Sequence, residues 1–518
     1  MSIGLALLYY GLSSMQIPRS SGVLLHPTCF PSPYGIGDLG SPAYQFIDFL
    51  VASDQQFWQI LPVGPTGFGN SPYMSYSAMA GNPMLISPEQ LQMKGLLTDE
   101  DLAHIAEFPP DTIDFERTFP LKKSLLLKAC DRFQREASSE QQEEFDQFCQ
   151  RHAYWLDDYA LFMALHNTFE DASWHVWEPD IAKAEPQAVK EWRERLRDRI
   201  YYQKYLQFEF FRQWSWLKQY ANDRNIQIIG DIPIYVAHNS ADVWSNRELF
   251  AIDEETGEAS LMAGVPPDYF SETGQLWGNP IYDWERMEKN NYHWWIMRLK
   301  MMFEYVDVLR IDHFRGLEAY WEVDQGETTA MNGRWVKGPG AKFFKVLKRE
   351  LEGLPIIAED LGVITPEVEA LRDQFGFPGM KILHFAFGGG PDNPYLPFNL
   401  ERNCLIYTGT HDNNTTIGWF NQIPDYEREN AIRYLGELSD EGINWDLIRL
   451  AYSSVANLAM IPLQDFLDLG ADAQMNRPST SEGNWKWRYR AEILTDQLRD
   501  RIKTLAYTYG RTPTPNGS

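Results

Sequence analysis

Eight short apolar runs recur along the chain, each bounded by glycine, proline or a polar residue. They are GVLLHP from Gly22, FWQILPV from Phe57, IQIIGDIPIYV from Ile226, VDVLRID from Val306, PIIAED from Pro355, MKILHF from Met380, CLIYTGTHD from Cys404 and AMIPLQD from Ala459. Richness in Ile, Val and Leu suits strands buried on both faces, as in a parallel sheet. Helical patterns separate several of them: SPAYQFIDFLVAS after the first, YHWWIMRLKMMFEYV before the fourth, KFFKVLKRELEGL before the fifth and TPEVEALRDQF before the sixth. Repeated alternation of strand and helix predicts an α/β fold of the (β/α)8 TIM barrel type. A doubly wound sheet is the competing arrangement, and it requires a glycine-rich phosphate turn after its first strand. That place holds HPTCFPSPYGIGDLG, where Gly35, Gly37 and Gly40 lack the G-x-G-x-x-G spacing and read as turn formers. A dinucleotide-dependent dehydrogenase is disfavoured on the same ground.

Two connections are too long for ordinary barrel loops. Residues 88–215 carry charged helical sequence and predict a helical insertion subdomain beside the cleft. Residues 240–290 contain GVPPDYFSETGQLWGNPIYDW, rich in Pro, Gly and aromatics without clear periodicity. On a barrel this connection emerges at the active face, which predicts an active-site insertion. Within it, 264–280 is the candidate lid: Tyr269, Phe270, Leu276 and Trp277 would cover the cleft, and Gly264, Gly274 and Gly278 would let it move. A static loop with its own small core is the alternative. Residues 16–518 then form one catalytic barrel, and 1–15 read as an N-terminal extension. The opening MSIGLALLYYGL has no basic flank and is too short to span a bilayer. The tail RTPTPNGS reads as a frayed end.

The formal net charge of −26, from 72 acidic and 46 basic residues, repels nucleic acid and anionic membranes and favours a neutral substrate. Aromatic residues make up 14% of the chain, and flat rings stack on the apolar faces of sugars, although most of them fill a large core. Cys29, Cys130, Cys149 and Cys404 are scattered without a C-x-x-C pair, which argues against a disulfide framework or zinc ribbon and for a reducing, cytoplasmic setting. No dense ligand motif such as H-E-x-x-H is present, so neither a metal nor a cofactor is expected.

Three carboxylates at the downstream ends of apolar runs are the candidates for chemistry: Asp312, Glu359 and Asp412. Parallel strands deliver their C-terminal residues to one face, so these groups can meet. Paired carboxylates about 5 to 5.5 Å apart are what retaining cleavage of a glycosidic bond requires. Arg310 and Asp312 stand at i and i+2 of an extended run and project to the same side, where the guanidinium keeps the carboxylate ionised and aimed. Asp312 is therefore the expected nucleophile. Glu359 follows apolar PIIA, an environment that raises a carboxyl pKa and suits a general acid. Asp412, next to His411, is expected to stabilise positive charge or hold sugar hydroxyls. Each of these residues also has a plain structural reading, as a helix cap, an ion pair or a hydrogen-bonded histidine, and His313 shares it.

From about Gln16 onward the chain resembles glycoside hydrolase family 77, the 4-α-glucanotransferases also called amylomaltases or disproportionating enzymes. The blocks that carry the resemblance are SGVLLHPTCFPSPYGIGDLG, LPVGPTGFGNSPYMSYSAMAGNP, IIGDIPIYVAHNSADVW, GVPPDYFSETGQLWGNPIYDW, VLRIDHFRG, IIAEDLG, GMKILHF, YTGTHDNNTTIGWF and MNRPSTSEGNWKWR. The resemblance implies Asp312 as nucleophile, Glu359 as acid/base and Asp412 as transition-state stabiliser, in agreement with the reading above. It also implies substrate contacts from Tyr73, Asp231, Arg310, His313, His411, Asn476 and Trp485. One departure is Ser479, where the family pattern N-x-P-G-T carries glycine, and a serine there is expected to stiffen the loop. The implied partners are α-1,4-glucans, cleaved to a covalent glycosyl-enzyme that the 4-hydroxyl of a second glucan then attacks. An amylase-like α-glucan hydrolase is the nearest rival, and a non-catalytic glucan-binding protein the rival from another class.

Overall fold

The computed structural model describes residues 17–103, 105–267, 271–351 and 353–513. The expected extension at 1–15, and Tyr269 and Phe270 of the candidate lid, lie outside the described residues. Each of the eight apolar runs contributes one strand: β1 (Ser20–Leu24), β2 (Phe57–Gln59), β3 (Gln227–Pro233), β4 (Val308–Asp312), β5 (Ile356–Ala358), β6 (Gly379–Ile382), β7 (Cys404–Tyr407) and β8 (Leu458–Pro462). They form one parallel sheet in the order β6-β7-β8-β1-β2-β3-β4-β5. The two ends of that order meet where the Ala358 N–H donates to the Pro378 carbonyl at 3.0 Å, so the sheet is a nearly closed TIM barrel. Every residue of β1, β2, β5, β7 and β8 is buried, as the apolar runs predict. Polar groups inside must then pair with one another, and the Tyr407 hydroxyl crosses the barrel to donate to Gln59 Oε1 at 2.8 Å.

The predicted helices wrap the outside. Ser41–Ala52 buries Ala43, Phe46, Ile47 and Leu50, a stripe at helical spacing, against the barrel. His293–Tyr305, Gly340–Glu350 and Pro366–Gln374 occupy the other predicted positions. Between β2 and β3 the chain is helical from Pro88 to Asn222, apart from short connections. Its long helices share an aromatic cluster of Phe133, Phe145, Tyr205 and Phe208, with ring centroids 5.2 to 5.9 Å apart. The last of them, Arg197–Asn222, packs against the outer helix His293–Tyr305, where the Trp214 Nε1–H donates to the Tyr305 carbonyl at 2.8 Å. Among the described residues no helix is long and apolar enough to cross a membrane.

The segment expected to be an aperiodic loop is instead part of a small antiparallel sheet. Leu261–Val265 pairs with Gln275–Pro280 and with Ala319–Asp324, which in turn pairs with Arg334–Lys337. Half of that sheet comes from beyond β4, so local periodicity could not reveal it. Gly264 serves the sheet rather than a hinge, because a Cβ there would stand 2.4 Å from the Gln275 carbonyl oxygen.

Of the tail expected to be frayed, residues 514–518 lie outside the described residues, and Arg511 at its start departs from expectation. Arg511 is fully buried, and its guanidinium donates to the carbonyls of Ser20, Tyr452 and Ala456 at 2.7, 2.8 and 3.0 Å, with longer bonds to Ala451, Ser454 and Asn457. It ties the C-terminal helix to the strand ends of β1 and β8, and a carbonyl cluster elsewhere in the chain carries no sequence signature. Arg511→Ala leaves several buried acceptors unpaired, so a stability loss of about 3 to 5 kcal/mol is expected. A thermal midpoint equal to wild type would contradict that role.

Candidate active site

The site assembles at the C-terminal ends of β3, β4 and β5. Parallel register sets Asp231 beside Arg310 and Arg310 beside Ile357, so Glu359 emerges next to Asp312. Arg310 organises the floor. Its Nη1 donates to both oxygens of Asp231 at 2.7 Å, and Nη2 donates to Asp312 Oδ1 at 2.9 Å. Arg310 and Asp231 are 4% and 1% exposed, whereas the Asp312 side chain is 31% exposed and faces the open cleft. A buried fork bound to two carboxylates is strongly directional, so the predicted i, i+2 pair fixes the aim of Asp312.

Glu359 is held by backbone. The His313 N–H donates to Oε2 at 2.7 Å and the Leu361 N–H to Oε1 at 2.9 Å. The first of these bonds depends on His313 adopting a left-handed backbone, φ +54°. A non-glycine residue pays on the order of 1 kcal/mol for that geometry, a strain typical of functional sites. Burial, and next the charge of Asp312, push the Glu359 carboxyl up to about 8. Burial also raises Asp312, to about 6, with Asp231 and Asp412 adding to the rise and Arg310 opposing it. Asp412 goes the other way. Burial acts upward on it, but His411 at 3.3 Å and the Asn476 amide, donating to Oδ1 at 2.7 Å, hold it down to about 2. Three neighbouring carboxyl groups thus take three different proton affinities, a separation suited to acid/base work.

The residues implied by the resemblance join the same network. The Tyr73 hydroxyl lies 2.7 Å from Asp231 Oδ2 and 2.8 Å from His411 Nε2. Asp231 accepts, so Tyr73 donates to it and offers an acceptor to His411 Nε2, which also lies 3.3 Å from Asp412. Tyr73 and His411 stack with centroids 5.3 Å apart, and Trp485 lies 6.1 Å from each. The Asn476 N–H donates to the His411 carbonyl at 3.1 Å. Trp277 stands edge-on to His313 at 4.9 Å. Burial lowers His313 to about 3, so its imidazole is neutral, and its buried Nε2 has no partner among the described residues.

Asp412 does not sit at a strand end. It lies in the loop after β7, whose shape is set by Asp465, which accepts from the Thr408 hydroxyl at 2.5 Å and the Thr416 N–H at 2.7 Å. Sequence reasoning missed Asp465. It also closes an apolar run, AMIPLQD, so the pattern that marks the candidate carboxylates marks this buried anchor as well. His26 was missed too; it ends the run of β1, is buried with Nδ1 unpartnered, and is lowered to about 3 by burial and by nearby His411.

Ser479 occupies a demanding position. The Thr480 N–H donates to the Arg477 carbonyl at 3.2 Å, Pro478 takes the second place of the turn, and Ser479 the third with φ +65°. That is a type II turn, which favours glycine at its third residue. Ser479→Gly should therefore stabilise the protein by about 1 kcal/mol, read as a raised thermal midpoint with activity retained. A lowered midpoint would show that the serine side chain compensates.

Residues 25–495 match glycoside hydrolase family 77, described as 4-alpha-glucanotransferase. The 4-alpha-glucanotransferase of Synechocystis sp. is 54% identical over 495 residues, covering 95% of this chain and 98% of that protein. The enzyme of the same name from Thermus thermophilus is 46% identical over 499 residues, covering 95% and 99%. Amylomaltase from Streptococcus agalactiae in complex with acarbose matches with a TM-score of 0.92 at 40% identity, covering 96% of this chain and 100% of that one. The chain belongs to glycoside hydrolase family 77 and is a 4-alpha-glucanotransferase acting on α-glucans.

Proposed function

We propose that the enzyme transfers α-1,4-glucan segments by retaining double displacement. The observation that carries this reading is the split environment of two neighbouring carboxyl groups: Asp312 aimed by Arg310 at 2.9 Å, and Glu359 held by two backbone N–H groups and pushed up to about 8. At neutral pH Asp312 is ionised and Glu359 carries its proton. Asp312 Oδ attacks the anomeric carbon while the bond to the leaving 4-oxygen breaks, and that oxygen takes the Glu359 proton. The ionised Asp412 offsets the positive charge that develops on the sugar. A second glucan then enters, Glu359 accepts the proton of its 4-hydroxyl, and the new glycosidic bond forms as the ester to Asp312 breaks. Tyr73, Asp231, His313, His411, Asn476 and Trp485 shape the sugar site around these groups.

Transfer beats hydrolysis only when the acceptor hydroxyl is oriented and bulk water is kept out. The segment 264–280 serves as the cover in this reading, with Trp277 against His313 and the helical insertion at 88–215 walling the cleft. Maltooligosaccharides and amylose-type chains are the substrates, and four free cysteines suit a reducing cytoplasm. Incubation with maltotriose tests the proposal. A ladder of longer maltooligosaccharides with free glucose is expected, whereas maltose and glucose without a ladder would identify an amylase-like hydrolase instead.

A further inference from the structure

A second feature lies on the flank of the barrel. Between the β6–β7 connection and helix Asp425–Leu435 runs an open groove of ≈ 340 Å³, lined by Phe387, Leu396, Phe398, Asn430, Arg433 and Tyr434. Phe398 is 63% exposed, an unusual placement for a phenylalanine. Its ring lies 6.3 Å from that of Tyr434 with 21° between the planes, so two nearly parallel aromatic rings stand together on the groove wall. Tyr434 is backed edge-on by buried Phe387 at 5.8 Å.

The surface is prebuilt. Asn399 donates to the carbonyls of Pro391 and Asn393, each at 2.9 Å, and Asn393 donates to the Phe385 carbonyl at 2.8 Å, pinning the turn Pro397–Asn399 that carries Phe398. Polar groups rim the rings. Asn430 Nδ2 donates to the Phe387 carbonyl at 3.1 Å and Arg433 to Asn430 Oδ1 at 3.2 Å, which leaves guanidinium donors and the Tyr434 hydroxyl at the edge.

Flat rings with hydrogen-bonding groups at their margin match a pyranose, which has apolar C–H faces and a rim of hydroxyls. Position argues for the same polymer that the catalytic cleft takes. The groove starts just past the C-terminal end of β6, the strand between β5, which leads to Glu359, and β7, which leads to Asp412. A net charge of −26 disfavours a polyanionic occupant. We propose that Phe398 and Tyr434 form an accessory platform for α-glucan, which holds an outlying part of a long chain while another part reacts. The inference rests on the α-glucan transfer proposed above. Tethering raises the local concentration of chain ends at the cleft, so its benefit grows with substrate length and vanishes for a trisaccharide too short to reach both places.

The experiment compares kcat/KM for soluble amylose with kcat/KM for maltotriose. In Phe398→Ala the amylose-to-maltotriose ratio is expected to fall about three- to tenfold, and in Phe398→Trp, which keeps a flat ring, to stay near wild type. Native electrophoresis in gels containing amylose reads binding apart from turnover, and the Ala variant should be retarded less than wild type. An unchanged ratio and equal retardation would overturn the platform, as would the same fall in Phe398→Trp. Failure of the wild-type enzyme to elongate maltotriose would overturn the transfer reading beneath it instead, so the two failures are distinguishable.

Discussion

Asp312→Asn is expected to lower kcat on maltotriose by at least ~10⁴-fold while the protein stays folded. The amide has nearly the size and shape of the carboxylate, but it cannot form the glycosyl ester through which the proposed transfer runs. Folding should survive because the buried charge of Arg310 keeps its two bonds to Asp231 at 2.7 Å. Removing the Asp312 charge also removes one of the causes that push Glu359 upward, so the acid becomes easier to ionise as well. The measurement is a time course of glucose release and ladder formation, with circular dichroism to establish the fold. Wild-type rates in pure variant protein would take Asp312 out of the nucleophile's role.

The second large effect falls on Glu359. Glu359→Gln leaves no proton to donate and no base to accept one, and kcat should drop about 10²- to 10⁴-fold. In wild type the rate should rise with pH as Asp312 ionises near 6 and fall as Glu359 loses its proton near 8, a bell whose alkaline limb disappears in the variant. The same shift affects stability. The ordinary value for this group is 4.5 and the folded value about 8, so the folded state binds the proton more tightly. That contribution is fully present below pH 4.5, is lost progressively as pH rises towards 8, and is flat above. Gln never titrates, so the thermal midpoint of the variant should gain on wild type between pH 5 and pH 8. A difference that stays constant across that window would mean that Glu359 titrates at its ordinary value.

The barrel was legible because its signal is local. Burial on both faces demands unbroken runs of Ile, Val and Leu, and all eight runs became strands in a single sheet. The Arg310–Asp312 pair was legible for the same reason, since i and i+2 of a strand share a side whatever the rest of the chain does. Other features were not. The pattern of a carboxylate closing an apolar run covers the candidate nucleophile Asp312 and the buried anchor Asp465 alike, and only the partners around each oxygen separate them. Tyr73, Asn476 and Trp485 entered by resemblance, because a tyrosine in a polar loop carries no mark of a histidine hundreds of residues away. Gly264 stands at a point of close approach between strands, and Arg511, expected in a frayed tail, is buried at the base of the barrel.

By itself, then, the order of residues determined the strands, their helices, the family, and which carboxylates to suspect. Tertiary structure alone decided how those groups differ: Glu359 up at about 8, Asp312 near 6 and Asp412 down at about 2. Secondary structure follows from neighbours within a few residues, whereas a proton affinity is set by burial and by charges that folding brings from the far ends of the chain.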